Sequence, residues 1–273
     1  MRAMTSVEDK LLKLRESLLG LDSVVVAFSG GVDSTLLLKM CCDVLADRVL
    51  AVTADSPIHP AQEMDSAVKT AESLRVRHLV VRTTELRNPR FAANSPDRCY
   101  HCKRGLFQAL KEIAVAKGVS NVVEGSNADD LDDYRPGARA GDEMGVRRPL
   151  QEAGLTKAEI RAISKNLGLP TWDKPSLACL ASRIPYGNPI TPEALASIDA
   201  AEAFIRSLGI AQVRVRHHGQ TARIEVNPED VEKLARETNR LRVVNQLRGL
   251  GYIYVTLDLA AYRTGSLNEG VPL

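Results

Sequence analysis

The stretch Val24-Val25-Val26-Ala27-Phe28-Ser29-Gly30-Gly31-Val32-Asp33-Ser34 decides the fold of this chain. Its first five residues are all apolar, which is typical of a parallel strand buried on both faces. The two glycines allow the backbone to approach a ligand closely, and residues 35–44 have the apolar spacing of a helix. A buried strand, a glycine turn and a helix N-terminus together predict a site for phosphate oxygens.

Further apolar runs of strand character alternate with helical segments. The runs cover residues 49–53, 78–81 and 121–124, and the helical segments cover 61–74, 103–117 and 156–167. This alternation predicts right-handed crossovers and an α/β fold with a doubly wound parallel sheet. Ligands of such sheets bind beyond the carboxyl ends of the strands, where Ser29 to Ser34 lie.

The pattern changes near residue 184. Residues 197–208 are helical, 212–216 and 222–226 alternate like a hairpin, and 252–257 form a further strand. We therefore predict two domains, a larger nucleotide-binding domain over 1–183 and a smaller α+β domain over 184–273. The turn-forming residues 185–189 are the predicted hinge. The smaller domain is expected to bind substrate or to form oligomer contacts.

The composition limits the possible function classes. The chain has 273 residues, 44% of them hydrophobic, which is enough for a substantial core. Its net charge is +2, from 36 Lys and Arg against 34 Asp and Glu, so anion binding has to come from local clusters. We find no apolar signal core and no membrane-spanning stretch. Five cysteines without an export signal predict reduced thiols in the cytoplasm.

The phosphate loop contains a carboxylate that needs a cation. Ser29, Ser34 and Thr35 supply hydroxyl donors, but Asp33 would repel phosphate unless a metal ion lay between them, so we predict Mg²⁺. A Walker loop would end in Gly-Lys-Ser/Thr, and this loop has no such lysine. The alternative is an ordinary glycine turn capped by serine.

The loop closely resembles the Ser-Gly-Gly-x-Asp-Ser signature of the PP-loop ATP pyrophosphatases. That resemblance implies ATP binding and adenylation of a substrate oxygen, with release of AMP and pyrophosphate. Asp55, Gly125 and Asp130 are at positions similar to those that hold the nucleoside and metal in such enzymes. For the acidic run, which also contains Asp129, Asp132 and Asp133, the alternative is a solvated loop.

Later motifs resemble the LarE family of ATP-dependent sulfur transferases over nearly the whole chain. These motifs are Asp133-Tyr134-Arg135-Pro136-Gly137, residues 179–187, residues 213–218 and residues 254–259. The resemblance implies that the carboxylates of pyridinium-3,5-biscarboxylic acid mononucleotide become thiocarboxylates. This reaction belongs to biosynthesis of the nickel-pincer nucleotide cofactor of lactate racemase. An external sulfur donor and a homo-oligomer, such as a hexamer, are implied as well.

An anionic mononucleotide requires cationic side chains. Ser182, Arg183, Arg214 and Arg216 are the predicted substrate-binding residues, and Arg214 and Arg216 lie on one side of a strand. The alternative for this arginine pair is the solvated face of a hairpin. Glu202 resembles a catalytic position of the family, although an acidic residue on a helix is usually a surface residue.

The cysteine pattern distinguishes two branches of that family. In one, a single cysteine gives up its sulfur, and aligning Ser182-Arg183 places that position at Ala178, which cannot react. Cys99, Cys102 and Cys179 instead match the three-cysteine branch that holds a [4Fe-4S] cluster. Zinc, a redox disulfide and unrelated thiols are the alternatives. Cys41 and Cys42 are expected to be packing residues inside a helix.

Three other functions deserve comparison. A tRNA thiolase also uses a PP-loop, but we see no basic extension or zinc ribbon, and the net charge is balanced. A non-catalytic ATP-binding regulator would not need the complete loop and the arginine set. An amide-forming synthetase would need an ammonia source. We therefore predict a small-molecule sulfurtransferase rather than a nucleic-acid enzyme.

Overall fold

The computed structural model describes residues 6–131, 136–175 and 178–263. The chain divides into two compact units. The first spans Met1–Glu85 and Asp97–Leu177, and the second spans Leu86–Pro96 and Ala178–Leu273. The assignment of functions to domains 1–183 and 184–273 stays a prediction.

The helices and strands follow one another in nearly the predicted order. The helices are α1 (Val7–Leu19), α2 (Val32–Leu45), α3 (Ala61–Ser73), α4 (Pro89–Ala92), α5 (Arg98–Lys117), α6 (Pro136–Glu143), α7 (Pro149–Glu152), α8 (Lys157–Asn166), α9 (Pro192–Ser207), α10 (Pro228–Ala235) and α11 (Glu237–Gly249). The strands are β1 (Val24–Ala27), β2 (Val49–Asp55), β3 (Arg77–Arg82), β4 (Asn121–Glu124), β5 (Val213–His218), β6 (Thr221–Val226) and β7 (Tyr254–Leu257). Short 3₁₀ turns cover Glu85–Arg87, Ala128–Leu131 and Leu180–Arg183.

The first unit is built on a parallel sheet with strand order β3-β2-β1-β4. This confirms the predicted α/β class. The chain passes from β1 to β2 and β3 on one side and then returns to β4 on the other side of β1. The strand order therefore reverses between β1 and β4, and the crevice for a ligand opens there, beyond the ends of both strands.

Alternate residues of β1 face two separate cores. Val24 and Val26 pack with apolar residues of α1, α2 and α8, whereas Val25 packs with Phe107 and Leu110 of α5. Both faces of β1 are therefore covered by helices. This double burial explains why the strand is a continuous apolar run rather than an alternating one.

Side-chain caps define where two helices begin. The hydroxyl of Thr156 accepts from the Glu159 amide, and the Glu159 carboxylate accepts from the Thr156 amide, so the predicted capping box of α8 is confirmed. Ser6 and Asp9 form the same arrangement at α1. In the described part of the chain, no helix has the length and apolar character needed to cross a membrane.

The second unit contains a three-stranded sheet in the order β5-β6-β7. β5 and β6 form the predicted antiparallel hairpin, and β7 pairs with β6 in parallel. Helices α9 and α11 contribute Ile205, Val243 and Leu247 to the core beneath this sheet. The segment before Asp97 joins this unit because the Asn94 side-chain amide donates to the carbonyl groups of Ile184, Pro185 and Asn188.

Candidate active site

The phosphate loop lies between β1 and α2 and is held by its own hydroxyl groups. The hydroxyls of Ser29 and Ser34 are 3.0 Å apart, and the Ser34 hydroxyl donates to the Gly31 carbonyl at 3.2 Å. Gly31 is the N-cap of α2, so the amides of the first helical turn point towards the loop opening. Those amides and the helix dipole would favour an anion at this opening, and the phosphate contacts stay a prediction.

Two glycines permit close backbone contacts around this loop. Gly30 has φ +68°, and a Cβ there would lie 2.8 Å from the Ala67 Cα of α3. A Cβ at Gly125, directly after β4, would lie 2.9 Å from the Ser34 amide nitrogen. Only glycine therefore lets α3 and the end of β4 pack this closely against the loop.

Asp33 forms an ion pair that the sequence did not predict. Its Oδ2 atom is 2.5 Å from Nζ of Lys157, the first residue of α8, while its buried Oδ1 atom has no hydrogen-bond partner among the described residues. Burial raises the pKa of Asp33, and the nearby Asp130 charge raises it further, whereas Lys157 and a hydrogen bond with the Asn127 side chain oppose the rise. The carboxylate is therefore only partly compensated.

A second lysine holds the other side of the loop. Nζ of Lys174 donates to the Gly30 carbonyl at 3.0 Å and to the Ser66 hydroxyl at 3.1 Å, and it lies 2.9 Å from the Glu63 carboxylate. Neither lysine could be predicted from local sequence, because each is remote from the loop in the chain. The capping box at Thr156 fixed the start of α8, but it gave no information about what the first helical residue contacts.

The other predicted nucleotide-site residues lie at strand ends in the same unit. Asp55 is the last residue of β2 and pairs with Arg82 at 3.7 Å, with both side chains largely exposed. After β4, the carboxylate of Asp130 accepts from the Asn127 amide at 3.0 Å, and that of Asp129 accepts from the Lys157 amide at 2.8 Å. Asp132, Asp133, Tyr134 and Arg135 lie outside the described residues.

Cys99 and Cys102 are the second and fifth residues of α5. This helix begins at Arg98, earlier than the predicted start near Lys103, because Tyr100 is buried and its hydroxyl donates to the Glu143 carboxylate at 2.6 Å. Cys99 is exposed and Cys102 partly buried. Three residues apart on a helix, the two thiols share one side. Both belong to the first unit, whereas Cys179 belongs to the second.

Lys103, near the start of α5, pairs with a buried carboxylate. Its Nζ lies 2.6 Å from Oε2 of Glu124, at the end of β4. Arg148 donates to Oε1 of the same carboxylate at 2.9 Å. Burial would raise the pKa of Glu124, but Lys103 and Arg148 hold it below its usual value. Arg148 also pairs with Asp142 at 2.8 Å, so two cationic and two anionic side chains balance in this cluster beside Gly125.

In the second unit, Arg183 and Glu202 are both fully buried. Arg183 donates to both carboxylate oxygens of Glu202, at 2.8 and 3.0 Å, and to the carbonyl groups of Ala178 and Cys179. Glu202 also accepts from the Val215 amide of β5 at 3.1 Å. The alternative that Glu202 is an ordinary surface residue of a helix is therefore excluded. Its predicted catalytic role stays a prediction.

Arg214 and Arg216 are almost completely buried, at 4% and 5% exposure, which excludes the solvated-face alternative. Arg216 donates to the Ser182 carbonyl at 2.9 Å and to the Glu225 carboxylate at 2.6 Å. Arg214 donates to the Val213 carbonyl and lies over the Tyr262 ring. Burial and the nearby Arg183 charge lower the pKa of Arg214 to about 10.

The predicted residues thus form two groups, one in each unit. The first unit brings the phosphate loop together with Asp33, Gly125 and Asp130. The second brings Ser182 and Arg183 together with Glu202 and the arginine pair of β5. Within neither unit do the described residues contain three Asp, Glu, His or Cys side chains placed to hold a metal ion.

Known proteins are similar to this chain, either in the region of the phosphate loop or over nearly the whole length. The NAD synthase family model matches residues 6–105, which include the phosphate loop. A protein of Lactiplantibacillus plantarum, named pyridinium-3,5-bisthiocarboxylic acid mononucleotide synthase, is 39% identical over 97% of this chain and 96% of its own length. The chain belongs to the LarE family.

Two further relatives of this LarE-family chain are also similar along their full length. An uncharacterized protein of Synechocystis is 44% identical over 96% of this chain and 98% of its own. An uncharacterized protein of Methanocaldococcus jannaschii is 28% identical over 93% of this chain and 98% of its own. The similarity to these relatives thus extends over both units of the structure.

Proposed function

We propose that this chain is an ATP-dependent sulfur transferase that converts the carboxylates of pyridinium-3,5-biscarboxylic acid mononucleotide into thiocarboxylates, a step of nickel-pincer nucleotide biosynthesis. The observation that carries this proposal is the near full-length similarity to the synthase of L. plantarum, at 39% identity. The phosphate loop agrees with ATP binding, and the buried arginines agree with binding of an anionic acceptor.

The first half of the reaction is activation of the acceptor. The loop amides and the α2 N-terminus bind the phosphates, and a carboxylate oxygen of the acceptor attacks the α-phosphorus of ATP. Pyrophosphate leaves, and the acceptor carries AMP as a mixed anhydride. The absence of a Walker lysine from the loop supports cleavage at the α-phosphorus rather than transfer of the terminal phosphate.

The residues around Asp33 fit a magnesium ion. Its Oδ1 atom is buried without a partner among the described residues, and Mg²⁺ is usually held by one or two carboxylates together with substrate phosphates. A cluster of three protein ligands is therefore not required. Asp33, with Asp130 nearby, would hold the ion, which would neutralise charge on the phosphates as pyrophosphate leaves.

The second unit supplies the binding groups for an anionic acceptor. Arg214 has no carboxylate partner among the described residues, although its guanidinium is buried beside Arg183 and Arg216. A phosphate or carboxylate of the acceptor would compensate this charge with a bidentate contact. Glu202 holds Arg183 in place within the same group.

The second half of the reaction is replacement of AMP by sulfur. Thiolates are the ligands that iron-sulfur clusters use, and Cys99 and Cys102 present two of them on one helical turn. Cys179 would be the third ligand. When bound, the cluster would supply sulfur, which displaces AMP and leaves a thiocarboxylate. The external sulfur donor, the homo-oligomer and the cytoplasmic setting remain predictions.

The test uses anaerobically reconstituted protein with Mg²⁺, ATP, sulfide and the acceptor. We expect acceptor-dependent formation of AMP and pyrophosphate, together with oxygen-to-sulfur exchange on the acceptor detected by mass spectrometry. ADP and phosphate as products would contradict the proposal. Sulfur transfer to tRNA but not to the mononucleotide would assign the chain to the tRNA thiolases instead.

A further inference from the structure

A third arginine lies on the sheet face that carries Arg214 and Arg216. In the antiparallel pair of β5 and β6, Arg216 is directly opposite Arg223, and Arg214 is directly opposite Glu225. Because opposite residues of two paired strands point to the same face of a sheet, all four side chains share one face. The other face of this hairpin packs on the apolar core. The cationic face therefore extends from β5 onto β6.

Glu225 is shared between two guanidinium groups. Its Oε2 atom is 2.6 Å from Nη2 of Arg216, and its Oε1 atom is 3.1 Å from Nη2 of Arg223. Like charges directly opposite each other on a sheet destabilise it, and the shared carboxylate offsets this repulsion. Arg223 has a second and more distant carboxylate partner in Asp258, at 3.4 Å. Its positive charge is therefore compensated in part.

Arg223 has binding capacity beyond these contacts. Its buried Nε atom has no hydrogen-bond partner among the described residues, so the two ion pairs leave part of the guanidinium unsatisfied. The Arg223 side chain is 36% exposed, against 6% for that of Arg216. A guanidinium is a planar fork of donors that matches the two oxygens of a carboxylate. Arg223 is therefore the accessible end of the cationic face.

We propose that Arg223 determines specificity for the acceptor by binding the ring carboxylate that is not being activated. This inference rests on the proposed function, because it takes the dicarboxylate mononucleotide as the acceptor. Arg214 has no carboxylate partner among the described residues, so it suits the phosphate, whose charge is about −1.5 to −2 at pH 7. Arg223 is already partly compensated, so it suits the singly charged carboxylate.

The spacing on the sheet fits two separate anionic groups of one small molecule. Arg214 and Arg223 are diagonal neighbours on adjacent strands, a relation that places their backbones roughly 7–8 Å apart. In a mononucleotide the ribose separates the phosphate from the ring. The ring can also turn about its bond to the ribose, so a contact to the second carboxylate would fix which carboxylate is presented for activation.

The test is calorimetric titration of the full-length protein, without ATP, with two mononucleotides that differ at the ring. One is the pyridinium-3,5-dicarboxylate, and the other carries one neutral carboxamide and no carboxylate. Arg223→Ala should bind the dicarboxylate about 10- to 100-fold more weakly than wild type, the equivalent of one lost charge-assisted hydrogen bond. It should bind the carboxamide with nearly wild-type affinity. A role in folding alone, or in phosphate binding, would weaken both ligands equally.

Two further variants complete the test. Arg242→Ala is the matched control, because Arg242 is exposed on α11, where it lies over the Phe204 ring, and it should change neither affinity. Arg223→Lys retains the positive charge beside Glu225 but lacks the planar fork, so it should show a smaller loss for the dicarboxylate alone. Thermal unfolding without ligand checks that each variant folds. If Arg223→Ala does not fold, Arg223→Lys decides.

An unchanged affinity for the dicarboxylate, or an equal loss of affinity for both mononucleotides, would overturn the inference. If wild type binds the dicarboxylate in preference to the carboxamide, and loses this preference in Arg223→Ala, but never transfers sulfur, the proposed function fails while this inference stands. If sulfur transfer occurs and the variant keeps the wild-type preference, only this inference fails. If wild type binds neither mononucleotide, both fail.

Discussion

Arg183 and Glu202 form a two-pronged ion pair in which neither side chain is exposed to solvent. Glu202 also accepts from Arg206 at 2.6 Å and from the Val215 amide at 3.1 Å. Arg183 in turn donates to the Cys179 carbonyl at 3.0 Å. The pair therefore connects α9, β5 and the segment that carries a predicted sulfur-site cysteine, so a change at either residue should alter both stability and the position of Cys179.

Glu202→Gln should lower the free energy of unfolding at pH 7 by about 3 to 5 kcal/mol, the range for breaking a buried ion pair from one side. Burial would raise the pKa of Glu202, but Arg183 and Arg206 hold it below the usual 4.5. The wild-type carboxylate thus contributes stability above about pH 4.5, and this contribution is lost as the pH falls through the folded-state pKa. The difference in unfolding free energy between Glu202→Gln and wild type should therefore shrink as the pH falls below 4.5.

Urea unfolding followed by circular dichroism at a series of pH values, from 7 to well below 4.5, measures this difference. Glu232→Gln is the matched control, since Glu232 pairs with Arg236 on the surface, with 84% and 68% of the side chains exposed. Such a pair contributes about 1 kcal/mol at most. A loss of stability for Glu202→Gln that stays the same across the whole series would show that the charge of the pair is not responsible.

Gly125→Ala should weaken ATP binding and cost roughly 1–3 kcal/mol of stability, the range for overpacking a tight site. The added methyl group would lie 2.9 Å from the Ser34 amide nitrogen and 3.0 Å from its Cα, both backbone atoms of the phosphate loop. Gly105→Ala is the control, because a Cβ at that position on α5 would meet no atom of the described residues within 4 Å outside its own helix backbone. ATP titration of both variants measures the effect. Normal ATP affinity in Gly125→Ala would contradict the prediction that this close packing shapes the phosphate loop.

Arg214→Ala and Arg216→Ala should each weaken acceptor binding by about 1.5–3 kcal/mol. Their effects on stability should differ. Arg216 pairs with Glu225 at 2.6 Å, so its loss breaks a buried ion pair, whereas loss of Arg214 removes a positive charge that Arg183 and Arg216 oppose. Acceptor titration and urea unfolding of both variants separate binding from folding. Unchanged acceptor affinity in both would assign the arginines to structure alone.

Cys99→Ser, Cys102→Ser and Cys179→Ser should each lose iron after anaerobic reconstitution, while ATP binding at the loop persists. Cys42→Ser is the control, because Cys42 lies inside α2, where burial raises its pKa to about 11. Iron and sulfide analysis measures the cluster, and multiple turnover followed by intact mass measures the sulfur. Transfer of one sulfur per chain, with a cysteine about 34 Da lighter, would replace the cluster by a sacrificial cysteine.

Local pattern was sufficient for the fold of each unit. The apolar run from Val24 to Phe28 predicted a strand buried on both faces, which β1 confirms over Val24–Ala27, and the Thr156 and Glu159 pair marked the start of α8. The order of strands and helices then left few topologies. The start of α5 was placed too late because its first turn is held by Tyr100 and Glu143, a contact between residues distant in the chain.

The sequence by itself determined the phosphate loop, the family and the residue types that a sulfur transferase needs. Only the tertiary structure decided which of those residues are partners. Lys157 pairs with Asp33, and Glu202 pairs with Arg183. Lys174 donates to the Gly30 carbonyl. In each case the two partners are too far apart in the chain for local sequence periodicity to predict the contact. Ion pairs of this kind depend on how helices and strands pack, because a charged side chain can be buried only where packing brings it a partner.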